Sequence, residues 1–402
     1  MINAHRRLPR FLQLNRGLSL AAAILAGAAS SLTGTCGSFS DVAADAFCPF
    51  VLEIFYLGIT TGATPTTYDP SANVSRLQMA AFLSRTVDSA LRRGSRRAAL
   101  DQFWTTHDPN ALGVTTLATF PEGVASDGAD VWVSLNNATV SRVHGSDGRL
   151  LETWSGAPGA SSVLVAMGRI LVTGSGNPGN LYSIDPSQPA GSVTIVSSAL
   201  GHGAYGIAFD GSRVWTANYG SAGQIDGSVS IVTPGSTIPW SATTVTAGFG
   251  RPIGILYDGV NIWIADMNAY ALIKLDSSGA ILQHVAVASA PALPVFDGSN
   301  IWVPGGGSDD SSVAVVHASS GAVLATLTGN GLSVPSSAAF DGQRILITNG
   351  TGNSVSLWKA ADLTPLGSVQ VGAGGFSSPY TACSDGINFW VTLFDYGQLV
   401  RF

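Results

Sequence analysis

The feature that most restricts this 402-residue chain is repetition across its C-terminal three-quarters. An apolar stretch is followed by Asp-Gly, two variable residues, Ile or Val, and often Trp. The pattern runs Asp127-Gly128 to Trp132, Asp210-Gly211 to Trp215, Asp258-Gly259 to Trp263 and Asp297-Gly298 to Trp302. It continues as Asp341-Gly342 to Leu346 and Asp385-Gly386 to Trp390, with a degraded copy from Met167-Gly168 to Val172. The seven anchors 127, 167, 210, 258, 297, 341 and 385 are spaced by 40, 43, 48, 39, 44 and 44 residues. A period of about 40–45 with strand–turn–strand texture is that of propeller blades.

Each unit has a physical reading. Asp-Gly between apolar runs predicts a hairpin with both turn residues at positive φ, joining an inner strand A to strand B. The Trp five residues after Asp is a large apolar plug, expected between adjacent blades. Third strands are expected at 139–143, 181–184, 229–232, 272–275, 313–316 and 355–358, with fourth strands after Gly, as at Gly279 and Gly321. The last copy ends at Gln398–Phe402 without a fourth strand, and an orphan strand, Val114–Phe120, precedes the first. Pairing the two removes an exposed sheet edge. The expected fold is all-β: a seven-bladed propeller over 114–402 closed by its N- and C-terminal strands. Composition agrees, since 11% charged residues against the usual quarter, with 48 Gly, excludes coiled coils and helical bundles. These repeats resemble the YVTN-like and streptogramin-lyase-like propellers.

Loops joining strands B and C share one rim with the blade-to-blade connections, and that rim is the expected ligand face. It carries Asn136, Asn218, Tyr219, Asp266, Asn268, Tyr270, Asp309, Asp310, Asn349, Asp395 and Tyr396. Polar acceptors interleaved with tyrosines suit a glycan, a peptide or a protein; Asn, Asp and Gly are also what tight loops require. No catalytic residue, metal site or cofactor is assigned, because no Gly-x-Ser-x-Gly, HExxH, CxxC or phosphate-binding loop occurs. The lyase resemblance implies a magnesium-supported His/Glu arrangement near the axis, and only His202 falls on a rim connection.

The first hundred residues differ. They hold ten of the 19 Lys/Arg and five of the 25 Asp/Glu, a net +5, which leaves −11 for the remainder. An acidic body without a basic footprint argues against nucleic-acid binding. Arg6, Arg7, Arg10 and Arg16 precede the apolar run 18–29, with Ala26-Gly27-Ala28 as a cleavage pattern: a secretory signal over 1–29. That run is shorter than the roughly 20 residues a membrane span needs, and no later stretch is long enough. Export permits a disulfide between Cys36 and Cys48, two free thiols being the alternative, while Cys383 reads as a buried hydrophobe.

Between signal and propeller, residues 49–57 read as a short amphipathic helix. Ser75 and Gln78 form a capping box for a second helix striped by Met79, Phe82, Leu83 and Val87. The series FSDV, GITTG, YDP and VSRLQMAAFL resembles an S-layer homology module over residues 36–87. That resemblance implies a bacterial surface protein bound to a cell-wall polysaccharide, with Arg76 in the place of the family's ligand-binding arginine. The family's acid is Gln78 here, and one module stands where three are usual. Residues 88–113 form a basic linker. The expectation is a secreted, surface-attached protein whose propeller binds or scaffolds; a propeller lyase or hydrolase and a surface-coat subunit are the rivals.

Overall fold

The computed structural model describes residues 39–42, 48–56, 59–83, 85–86, 114–145, 148–306, 311–371 and 378–402. The chain divides into two compact units, Met1–Arg96 and Arg97–Phe402. The expected signal, Cys36 and the linker 88–113 lie outside the described residues.

Among the described residues the larger unit contains 28 strands, β1 to β28 in chain order, arranged as seven four-stranded antiparallel sheets. Six sheets are consecutive meanders. The seventh joins β26 (Pro379–Ser384), β27 (Phe389–Leu393) and β28 (Gln398–Arg401) to β1 (Val114–Thr116). Val114 stands opposite Val400 and Thr116 opposite Gln398, so the two ends of the ring are stitched as expected. The closing strand is shorter than Val114–Phe120. It stops at Thr116 because the chain must travel from the outer edge of this blade to the inner strand of the next, β2 (Pro121–Ser126), within four residues. Phe120 makes that bend at a φ of 55°.

The tryptophans sit where the repeat puts them. Trp132, Trp215, Trp263, Trp302 and Trp390 are fully buried, each in an apolar cluster shared with the following blade. The degraded copy has Leu171 instead, and Trp240 from the next blade fills that seam.

The Asp-Gly turns depart from the expectation. Only the glycines, at φ between 88° and 99°, are left-handed; the aspartates are not. Each turn is a four-residue loop closed by the Asp side chain. In the third blade Asp210 Oδ1 accepts the backbone N–H groups of Ser212 (2.8 Å) and Arg213 (2.6 Å), and Oδ2 accepts the Trp215 indole N–H (2.7 Å). The same three bonds recur at Asp127, Asp258, Asp297 and Asp385. At Asp341, where Leu replaces Trp, Arg344 Nε takes the indole's place at 2.7 Å. A carboxylate that must accept three donors is held outside the tight two-residue turn. The two-residue form, with both residues at positive φ, occurs at Met167-Gly168, the copy without Asp.

In the smaller unit, helix α1 (Cys48–Tyr56) appears where the sequence places it. Phe39 is fully buried against Phe55 and Tyr68, with ring centroids 5.1 and 5.6 Å apart. Asp41 accepts the backbone N–H groups of Tyr68 (2.8 Å) and Asp69 (2.7 Å). The FSDV and YDP motifs are therefore one contact. The capping box forms as read: Ser75 N–H donates to Gln78 Oε1 (2.8 Å) and Gln78 N–H to Ser75 Oγ (3.2 Å). The expected stripe on that helix is buried only in part: Phe82 is half-buried, whereas Met79 and Leu83 are 47% and 60% exposed. Val87 lies outside the described residues. Cys48 is disulfide-bonded and Cys383 is a free thiol whose burial pushes its pKa up.

Candidate functional site

A four-stranded meander puts its A–B and C–D turns at one end and its B–C loops and blade connections at the other. The Asp-Gly loops define the first end. At the other, the inner strand of six of the seven blades begins with a bulge near its first residue, which redirects the second residue. In β2 that residue is Glu122, in β10 (Ala204–Phe209) Tyr205, and in β26 Tyr380.

These side chains meet. The Tyr205 hydroxyl donates to the Tyr380 hydroxyl at 2.5 Å, which ties the third blade to the seventh across the axis. Further rings extend the contact on both sides. Tyr380 packs on Phe394 at 5.5 Å and Phe394 on Phe120 at 5.0 Å; Tyr205 meets Tyr219 at 6.3 Å. The Arg251 guanidinium lies over the Tyr219 ring at 5.7 Å. The result is one arc of five aromatic rings across the mouth, ending at a cation. One residue further along the inner strands lies an axial cavity of about 170 Å³ lined by all seven blades, among them Gly123, Ser162, Gly206, Ser337 and Thr381. Glycine is required at Gly206, where a Cβ would come within 2.5 Å of the Ile253 carbonyl in the neighbouring inner strand.

Glu122 stands beside the arc and accepts a bond from Asn136 Nδ2 at 2.9 Å. Burial raises its carboxyl to about 7, against the lowering effect of the Ser161 and Asn136 side chains. Tyr205 and Tyr380 are raised by the same burial and by the nearby Glu122 charge. The mouth is thus a poor place for negative charge on its own groups.

The expected rim residues divide. Asn218, Asp266 and Asn349 are fully buried at the ends of their B strands and are bonded within the fold. Asn218 Nδ2 donates to Ser228 and Ser230, and Asn349 Nδ2 to Ser354 and Ser356. Asp266 accepts the backbone N–H groups of Gly250, Arg251, Asn268 and Ala269 at 2.7–3.1 Å, so it pins the connection that carries Arg251. An Asn or Asp closing a strand end satisfies loop amides before it can face a ligand. Asn136 and Tyr219 join the mouth. Asn268, Tyr270, Asp395 and Tyr396 are exposed on their loops, with Asp395 accepting a bond from Ser378 Oγ. Asp309 and Asp310 lie outside the described residues. Arg76 is exposed at the start of its helix.

Tyr205, Tyr380 and Glu122 were not among the sequence candidates, although a signal existed: each stands five residues before its anchor, Asp210, Asp385 or Asp127. His202, the rim histidine, bonds through Nδ1 to Ser221 Oγ at 3.0 Å, and that hydroxyl also meets Asp226 Oδ2 at 2.7 Å. The serine lies between acid and imidazole, so the histidine is not backed by the carboxylate as in a hydrolase triad. Among the described residues no three His, Cys, Asp or Glu gather to hold a metal ion, and no helix is long and apolar enough to cross a membrane.

Comparison with known proteins follows the same division. Residues 38–80 match the S-layer homology domain. Among solved structures, a streptogramin B lyase is similar at 16% identity with a TM-score of 0.57, over 72% of this chain and 96% of that one. No curated protein matches the sequence. The chain thus couples an S-layer homology domain at residues 38–80 to a seven-bladed propeller that resembles streptogramin B lyase in fold.

Proposed function

We propose that this is an exported protein of the bacterial envelope. Its small module attaches to a cell-wall polymer through Arg76, and its propeller binds a glycan at the mouth of the ring. The observation that carries the second half is the aromatic arc. Sugar rings present C–H faces that lie on aromatic rings, while Asn136 and Glu122 at the edge supply polar contacts for hydroxyls. The Arg76 assignment is supported by its place in the S-layer homology motif and by its exposure.

Sedimentation with purified sacculi tests both halves when the full chain is compared with Arg76→Ala and Tyr219→Ala. Loss of sedimentation in Arg76→Ala alone supports anchoring through the module. Sedimentation unchanged by Arg76→Ala rejects it. Binding of wall-derived oligosaccharides, read by fluorescence, is expected to drop about five- to thirtyfold in Tyr219→Ala, the loss of a stacking face worth about 1–2 kcal/mol.

Glu122 supports a second reading, since a carboxyl near 7 in a cleft is suited to acid–base work. A lyase or hydrolase activity abolished by Glu122→Gln, with glycan binding retained, would replace the binding role.

A further inference from the structure

We propose that the mouth is selective for a saccharide bearing a carboxylate, and that Arg251 is the residue that receives it. The inference rests on the mouth being a glycan site and names the class of glycan.

Other cations of the ring are occupied. Several lie over aromatic rings at 5.0–5.6 Å, as Arg251 does. Arg142 is paired with Asp130 and Glu152, Arg213 with Asp210, and Arg344 with Asp341. Lys274 donates to the carbonyls of Ala318 and Ser319, and Arg401 to that of Gly145. The arginine pairs lie within single blades, whereas the Lys274 and Arg401 bonds cross to the neighbouring blade. Among the described residues, Arg251 alone of this set has a guanidinium without a carboxylate or carbonyl partner. It is exposed, and its contact is the face of Tyr219.

Its position is nevertheless built. The buried Asp266 grips the backbone of Gly250 and Arg251 at 2.7 and 2.9 Å, and its carboxylate is saturated by four amides rather than turned to the guanidinium. Tyr219 is held in turn by its N–H to the Gly203 carbonyl at 3.0 Å. A planar cation resting on a ring, with its donor fork open to solvent, accepts a carboxylate in bidentate fashion. Stacked on the arc, a sugar ring brings a carboxylate on its rim to that fork. Elsewhere the body is acidic, so an anionic glycan gains nothing from the rest of the surface.

The test measures binding of a tetrasaccharide alternating glucuronic acid and N-acetylglucosamine, and of its carboxyl-reduced counterpart. Both are titrated by calorimetry into the full chain carrying Arg76→Ala, so that the small module does not contribute. The acidic form is expected to bind roughly ten- to a hundredfold more tightly, the range of one charge-assisted pair. Adding Arg251→Gln should remove that preference, so that the acidic and reduced forms bind alike. Equal binding of the two sugars overturns the carboxylate inference but leaves the glycan reading intact. Binding of neither overturns both. A preference that survives Arg251→Gln assigns the carboxylate to another residue and overturns the role of Arg251.

Discussion

The two ends of the ring are made from the same strands and behave as opposites. At the turn end five blades repeat one device, an aspartate that accepts two loop amides and an indole, and a sixth copies it with arginine. At the mouth end the equivalent positions carry Glu122, Tyr205 and Tyr380, and each does something different. The carboxyls show the contrast. Burial pushes Asp210 up, but the Trp215 indole, the amides of Arg213 and Ser212 and the Ser212 hydroxyl outweigh it and hold it at about 2. Burial at Glu122 meets too few donors and wins, at about 7. Where every blade meets the same packing problem, the sequence repeats; at the mouth, where no such problem recurs, the repeat is free to diverge.

The comparison can be broken most forcefully at the turn end. Trp263→Ala removes a fully buried plug between the fourth and fifth blades and strands the acceptor of Asp258. It should cost about 3–5 kcal/mol in denaturant unfolding. A cost below about 1 kcal/mol would show that the seams do not depend on these rings.

The opposite signs of the two carboxyls sharpen it. A carboxyl raised in the fold binds a proton that the unfolded chain has released, so folding loses stability as pH rises from about 4.5 to about 7. Glu122→Gln should therefore stabilise the protein at pH 8 by about 1–3 kcal/mol and have little effect at pH 4, read from melts across that range. Asp210 works the other way. Its contribution is complete above the ordinary 3.8 and is lost as pH falls toward about 2.

The smallest effect belongs to the bridge. Tyr205→Phe removes the hydroxyl that reaches Tyr380 while keeping the ring. A loss of about 0.5–1.5 kcal/mol is expected, with the far-ultraviolet circular dichroism unchanged. If the variant instead lost several kcal/mol, the bridge would be a structural brace and the mouth a continuation of the core.

Blade number, the closing strand and the placement of the tryptophans were legible in the residues, because burial between sheets recurs in every repeat and leaves a periodic trace. The capping box was legible for a similar reason: its partners, Ser75 and Gln78, are three residues apart. The aspartate's role in the turn was not, since Asp-Gly also specifies a tighter hairpin and only the indole contact distinguishes them. Asn218, Asp266 and Asn349 read as ligand residues because composition cannot tell an amide facing a loop from one facing solvent. The mouth needed closure of the ring. Tyr205 and Tyr380 are 175 residues apart, and only the curvature of seven packed blades brings their hydroxyls together. Local chemistry and periodic burial are therefore written in the chain, whereas the candidate site depends on which ends of distant strands the closed ring turns toward its axis.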